Sequence, residues 1–133
     1  MGKVTREIAV AEFEKWTSYK RLPKNKLEDE VTKRCAEEMI AEIEEGTLSL
    51  NEAFEWEYDL KFPIDNTNIT KLVFKPRISQ GVLDARYKKI EAKDFGGRLI
   101  ATISALTGEN EGTIRCLDTS DSSLCNAIVS YFF

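Results

Sequence analysis

The sequence contains no histidine. That removes the commonest general base near neutral pH and the commonest metal ligand. Its three cysteines, Cys35, Cys116 and Cys125, are odd in number and form no Cys-x-x-Cys pair, so neither a disulfide framework nor a zinc site is laid out. Glycine and proline are scarce, and no Gly/Ser/Pro-rich linker, low-complexity tract or internal repeat divides the chain. No apolar run approaches the ~18 residues that a membrane span needs. At the start, charged residues recur before a signal-peptide core can build, and Arg6 stands where myristoylation requires Ser or Thr. These absences predict a protein made in the cytosol, with thiols buried in helices. A Cys116–Cys125 contact, or a redox role in an extracellular particle, is the alternative for the cysteines.

A basic stripe is missing too. The net charge is −4, from 19 basic and 23 acidic side chains, which argues against a nucleic-acid partner. The charge is uneven. Residues 1–60 carry 9 basic and 15 acidic side chains, whereas residues 61–133 carry 10 and 8. A solvated helical face accounts for the acidic half, and a surface for a basic partner is the sharper alternative. At 133 residues, 42% hydrophobic and 32% charged, the chain suits one soluble domain with a core of its own.

Catalytic motifs are absent. A Ser or Cys nucleophile would have only Lys, Asp or Glu as a base. There is no GxSxG, SxxK, GxGxxG or GKS/GKT. Gly96-Gly97 reads as a close backbone approach at a helix start rather than a phosphate cradle. Twenty-three carboxylates always offer some neighbouring pair, but nothing in the sequence selects one. The reading is a non-enzyme with no catalytic residues, no cofactor, no metal and no membrane partner.

Periodicity places the elements. Thr5–Tyr19 reads as a helix with Val4, Ile8, Ala11 and Tyr19 on one face, broadened by Phe13 and Trp16. Asn25 with Glu28 forms a capping-box arrangement for a second helix. Its stripe is Leu27, Val31, Cys35, Met39 and Ile43, and Gly46 ends it. From Phe54 to Ile64 every even position is apolar, which predicts a long strand with one buried face. Asp65–Asn68 is a turn, Ile69–Lys75 a second strand, and Thr47–Leu50 a short third one. Ser79, Asp94, Asn110 and Asp118 cap four further helices, and Gly108 closes the second of these. Phe95, Leu99, Ile103 and Leu106 fall in register on that second helix. The fold class is α+β: a β-hairpin or small antiparallel sheet packed with several α-helices, plus an N-terminal helical pair. Residues 1–133 read as a single domain, with a helical extension over 1–50 and the hairpin plus helices over 51–133.

Phe54, Trp56 and Tyr58 on the strand, and Tyr131, Phe132 and Phe133 at the last positions, are the candidate partner-binding residues. Strand aromatics are more often core, and the last three pack either on their own domain or on a partner.

Residues 60–133 present an ordered series. Lys61-Phe62-Pro63-Ile64 ends a strand. A polar turn follows, then Ile69-Thr70-Lys71-Leu72-Val73-Phe74-Lys75-Pro76. Val82-Leu83-Asp84-Ala85 lies on a helix, and Leu99–Leu106 is followed by Thr107-Gly108. Ile114, Leu117-Asp118, Asp121, Leu124, Ile128 and Phe132 fall on the closing helices. This series resembles the tail assembly chaperone family of Mu-like and related contractile-tailed phages, over 74 of the 133 residues. The helices within Thr5–Ile43 depart from it. The resemblance implies a non-enzymatic assembly factor, working in the host cytoplasm, that coats the tape measure protein until tail tube subunits replace it. Implied partners are other phage tail proteins, namely the tape measure protein and tail tube or baseplate subunits, with self-association as an additional possibility. The alternative is a permanent structural subunit of a contractile tail or baseplate, resident in the virion.

Overall fold

The computed structural model of the chain describes residues 2–133. Helix α1 (Arg6–Lys20) starts at Thr5, whose hydroxyl accepts from the Ile8 N–H at 3.3 Å. It buries Ala9, Phe13, Trp16 and Thr17. The face predicted from Ile8, Ala11 and Tyr19 is instead turned to solvent, with Ile8 56% exposed. The bulky pair Phe13 and Trp16 sets the helix rotation, because aromatics have the most area to remove from water.

A short helix α2 (Lys24–Glu28) follows Pro23, and Asp29 then caps α3 (Glu30–Glu45). The Asp29 carboxylate accepts from the backbone N–H groups of Val31 and Thr32 at 3.1 and 3.2 Å. The capping box at Asn25 and Glu28 does not form, since the chain turns at Asp29 and starts afresh. The buried face of α3 is Thr32, Met39, Ile40 and Ile43; of the predicted stripe, Met39 and Ile43 are buried, Leu27 and Cys35 are half-buried against the core, and Val31 is exposed. Gly46 closes α3 at φ 84°, where a side chain would be strained. Helices α1 and α3 run antiparallel. The Val4 N–H donates to the Glu44 carbonyl at 3.0 Å, and Arg6 pairs with Glu37 and Glu44.

Three strands form an antiparallel meander: β1 (Leu48–Leu50), β2 (Trp56–Asp59) and β3 (Lys71–Phe74). Leu48 pairs with Tyr58, Tyr58 with Leu72 and Trp56 with Phe74, so one face is uniformly apolar and buried. The long strand predicted over residues 54–64 is cut at both ends. Phe54 sits in the left-handed region at φ 61°. The Asn51 side chain builds the turn around it, accepting from Ala53 N–H and Glu55 N–H at 2.9 and 3.0 Å. Beyond Leu60, whose N–H still donates to the Thr70 carbonyl at 2.9 Å, the backbone leaves the ladder, and Phe62 turns outward at 57% exposure although Leu60 and Ile64 stay buried.

Four helices follow: α4 (Gln80–Tyr87), α5 (Phe95–Thr107), α6 (Glu111–Ile114) and α7 (Thr119–Val129). They start at the predicted caps Ser79, Asp94, Asn110 and Asp118. A 3-10 turn, Ser130–Phe132, follows α7. Helix α3 meets β1, α5 meets β3, and α7 packs on both α3 and α5. One core runs from Ala9, Phe13 and Trp16 through the sheet to Leu124 and Ile128, so residues 1–50 share the interior of residues 51–133. The class is α+β, with seven α-helices among the described residues around a three-stranded antiparallel sheet.

Candidate functional site

Burial decides what the six predicted partner-binding residues do. Trp56 and Tyr58 are 0% exposed, and Tyr131 is 2% exposed. These three belong to the core, where no partner reaches them without unfolding. Trp16 is their hub. Its ring lies 5.6 Å from Trp56 and 5.4 Å from Tyr131 in an edge-to-face arrangement. The Tyr131 hydroxyl donates to the Thr32 carbonyl at 2.8 Å, which fastens the last turn to the start of α3. Phe132 is half-buried against Trp16 and Lys20. Phe54 is half-buried and stacks on Tyr19 at 4.1 Å and 7°. Phe133 is 57% exposed.

The exposed Phe133 ring belongs to a groove of about 470 Å³, lined also by Tyr87, Ala92, Phe95, Arg98 and Leu99. Its origin is visible in α5. The predicted stripe Phe95, Leu99, Ile103, Leu106 is real, but it outruns the core. Ile103 and Leu106 are buried, Leu99 is half-buried, and Phe95 is 74% exposed. Asp94 holds the helix start in place by accepting from the Gly97 N–H at 2.9 Å. A Cβ on Gly97 would come within 2.5 Å of that carboxylate, so glycine is needed for the close approach. Of the polar groups of the groove, the Tyr87 hydroxyl is engaged, whereas the buried Arg98 Nε has no hydrogen-bond partner among the described residues. Tyr87 hydrogen-bonds through its hydroxyl to Thr102, and the Arg98 guanidinium lies 4.7 Å from the Tyr87 ring centroid. The lining contains no hydroxyl, thiol or carboxylate besides Tyr87, so the groove offers apolar contact rather than bond chemistry.

Sequence reasoning missed Asp121, which is 0% exposed in the first turn of α7. One carboxylate oxygen accepts from the Tyr58 hydroxyl at 2.6 Å and the Lys61 N–H at 2.9 Å, and the other from the Phe62 N–H at 3.1 Å. The two backbone donors that β2 would have offered a longer ladder are thus taken by a side chain. Burial and this hydrogen bond push the Tyr58 hydroxyl far above its ordinary pKa, and burial pushes Cys125 up to about 12. Neither group is poised for proton transfer at neutral pH.

The cysteines separate by environment. Cys125 is buried and Cys35 half-buried, whereas Cys116 is exposed on the turn after α6 rather than inside a helix. All three are free. Among the described residues no cluster of His, Cys, Asp or Glu is placed to hold a metal ion, and no helix is long and apolar enough to cross a membrane. No family model, curated protein or solved structure matches this chain.

Proposed function

We propose that this chain is a phage tail assembly protein, a non-enzymatic chaperone that shields the tape measure protein during tail morphogenesis in the host cytoplasm. The observation that supports it is the apolar stripe of α5 running past the core to the exposed Phe95, beside Phe133. A long helical client exposes stripes of its own before assembly, and these need reversible cover. A groove of this kind takes one or two side chains at helical spacing, which gives modest affinity per site and favours many copies per client. Residues 86–98, around the groove, carry five basic and two acidic side chains. Acidic positions beside the apolar stripe of the client would complement them.

Co-expression with the tape measure protein of the same phage should raise its solubility and yield a co-purifying complex. Phe95→Glu should weaken that complex about tenfold or more, because it places a charge in the apolar contact. Its melting temperature should stay close to the parent's, since Phe95 contributes little to the core. Two proteins that remain separate at micromolar concentrations would end this reading.

The second reading is a permanent subunit of a contractile tail or baseplate. The Tyr19–Phe54 stack supports it, with Tyr19 41% exposed and Phe54 half-buried, as a further aromatic surface that a docked subunit would cover. Mass spectrometry of purified particles separates the two: a chaperone is absent, and a structural subunit is present at fixed stoichiometry.

A further inference from the structure

Where the end of α1 meets the segment between β3 and α4, a second cleft of about 690 Å³ opens. Its walls include Ser18, Lys20, Arg21, Arg77, Gln80 and Phe132. Every charged side chain on these walls is a cation, in a chain whose net charge is −4. None of the three cations forms an ion pair among the described residues.

Lys20 is the unusual member. Its ammonium donates to the Pro76 carbonyl at 2.7 Å and lies 3.7 Å from the Phe132 ring centroid. Carbonyl and ring stabilise a cation but do not neutralise it. Burial, and the like charge of Arg77, lower its pKa to about 8. A partly desolvated ammonium without a counter-ion, beside a second cation, is costly until an anion arrives. Arg21 ends α1 in the left-handed region at φ 55°, ψ 44°, where its backbone N–H donates to the Ser18 carbonyl at 3.1 Å, and its guanidinium lines the same cleft.

We propose that the cleft binds a small organic oxyanion, a phosphorylated or polycarboxylate metabolite gripped jointly by Lys20, Arg21 and Arg77. The volume lies within the ~300–1,000 Å³ range of small-ligand sites. Two guanidinium forks match the paired oxygens of phosphate or carboxylate, and the ammonium supplies a point charge. A bound anion favours the protonated form of Lys20. The charged group acting on Lys20 is Arg77, from the β3–α4 segment, and Arg21, from its own helix end, lines the same cleft. Tyr131, from the 3-10 turn, also lines the cleft, but its hydroxyl is committed to Thr32. Affinity should therefore fall as pH rises through about 8, and binding above that pH should take up a proton.

Calorimetric titration of the full chain with pyrophosphate, and separately with citrate, tests this and tells the two chemistries apart. At least one should bind at a single site. Arg77→Gln, an exposed position, should keep the native circular dichroism spectrum and weaken binding about tenfold or more. Lys20→Met should weaken it and also abolish the pH dependence near 8. Unchanged affinity in Arg77→Gln would overturn the proposal, as would the absence of saturation by either anion at about 10 mM. So would binding of a poly-glutamate peptide in the absence of binding by either small anion, which would make the cleft a protein-docking surface.

Discussion

A single carboxylate ends the sheet. Asp121 takes three hydrogen bonds with no cation in its shell, and two come from backbone groups that have no other acceptor. Asp121→Ala strands all three donors in the interior. It should cost about 3–5 kcal/mol, read as a lowered denaturant midpoint, whereas Tyr58→Phe, which removes one donor, should cost about 1.5–3 kcal/mol. A second expectation concerns alkaline pH. Tyr58, Tyr131 and Cys125 all have raised pKa values, mainly through burial, with Cys125 moving from 9.0 to about 12. Each favours its neutral form when folded, so above pH 9 the unfolded chain holds fewer protons. The stability these three groups contribute is thus intact below about pH 9 and falls beyond it, by up to about 1.4 kcal/mol per pH unit for each group. Lys20, with its pKa lowered to about 8, works the opposite way between about pH 8 and 10.5, so urea midpoints from pH 8 to 11 should show the decline in a Lys20→Met background. In that background Cys125→Ala should move the onset up toward pH 10, where the tyrosines of the unfolded chain begin to ionise.

At the level of elements, caps and closing glycines were legible because they act within one turn of the chain. Ser79, Asp94, Asn110 and Asp118 each accept from a backbone N–H close by, as their spacing predicts. Asp29 was misread because Asn25 and Glu28 form an equally good local pattern, and only the packing of α3 decides between them. Asp29→Ala should destabilise the protein by about 1 kcal/mol, while Asn25→Ala should be nearly neutral, and thermal melts of the two variants check the assignment. The strand over 54–64 was misread for a different reason. Alternation reports which side chains could share a face, but not whether the backbone donors keep a strand partner. Those of Lys61 and Phe62 go to a residue about sixty positions away. The groove was half legible. The α5 stripe was predicted, but the point where the core stops covering it depends on packing between elements distant in sequence.

Across the whole molecule, the front and back halves cannot be separated. The N-terminal helices read as an extension, yet Trp16 from α1 sits at the centre of an aromatic cluster that includes Trp56 of β2 and Tyr131 of the last turn. The acidic front half and the mildly basic back half therefore describe charge alone. Two surfaces lie outside the shared core and carry different chemistry. One is apolar, around Phe95 and Phe133, and the other is cationic, around Lys20 and Arg77.

The Tyr58–Asp121 contact spans 63 positions, and Tyr131–Thr32 spans 99. On the ribosome the sheet is complete well before the groups that fasten it are made. At ~5–20 residues per second, Tyr58 waits roughly 3–13 s for its carboxylate. Through that interval the apolar face of the nascent sheet lacks α7. A copy interrupted before residue 119 never acquires it and remains an open substrate for cellular proteases. Only copies translated through α7 close, so the fold itself sorts finished chains from unfinished ones.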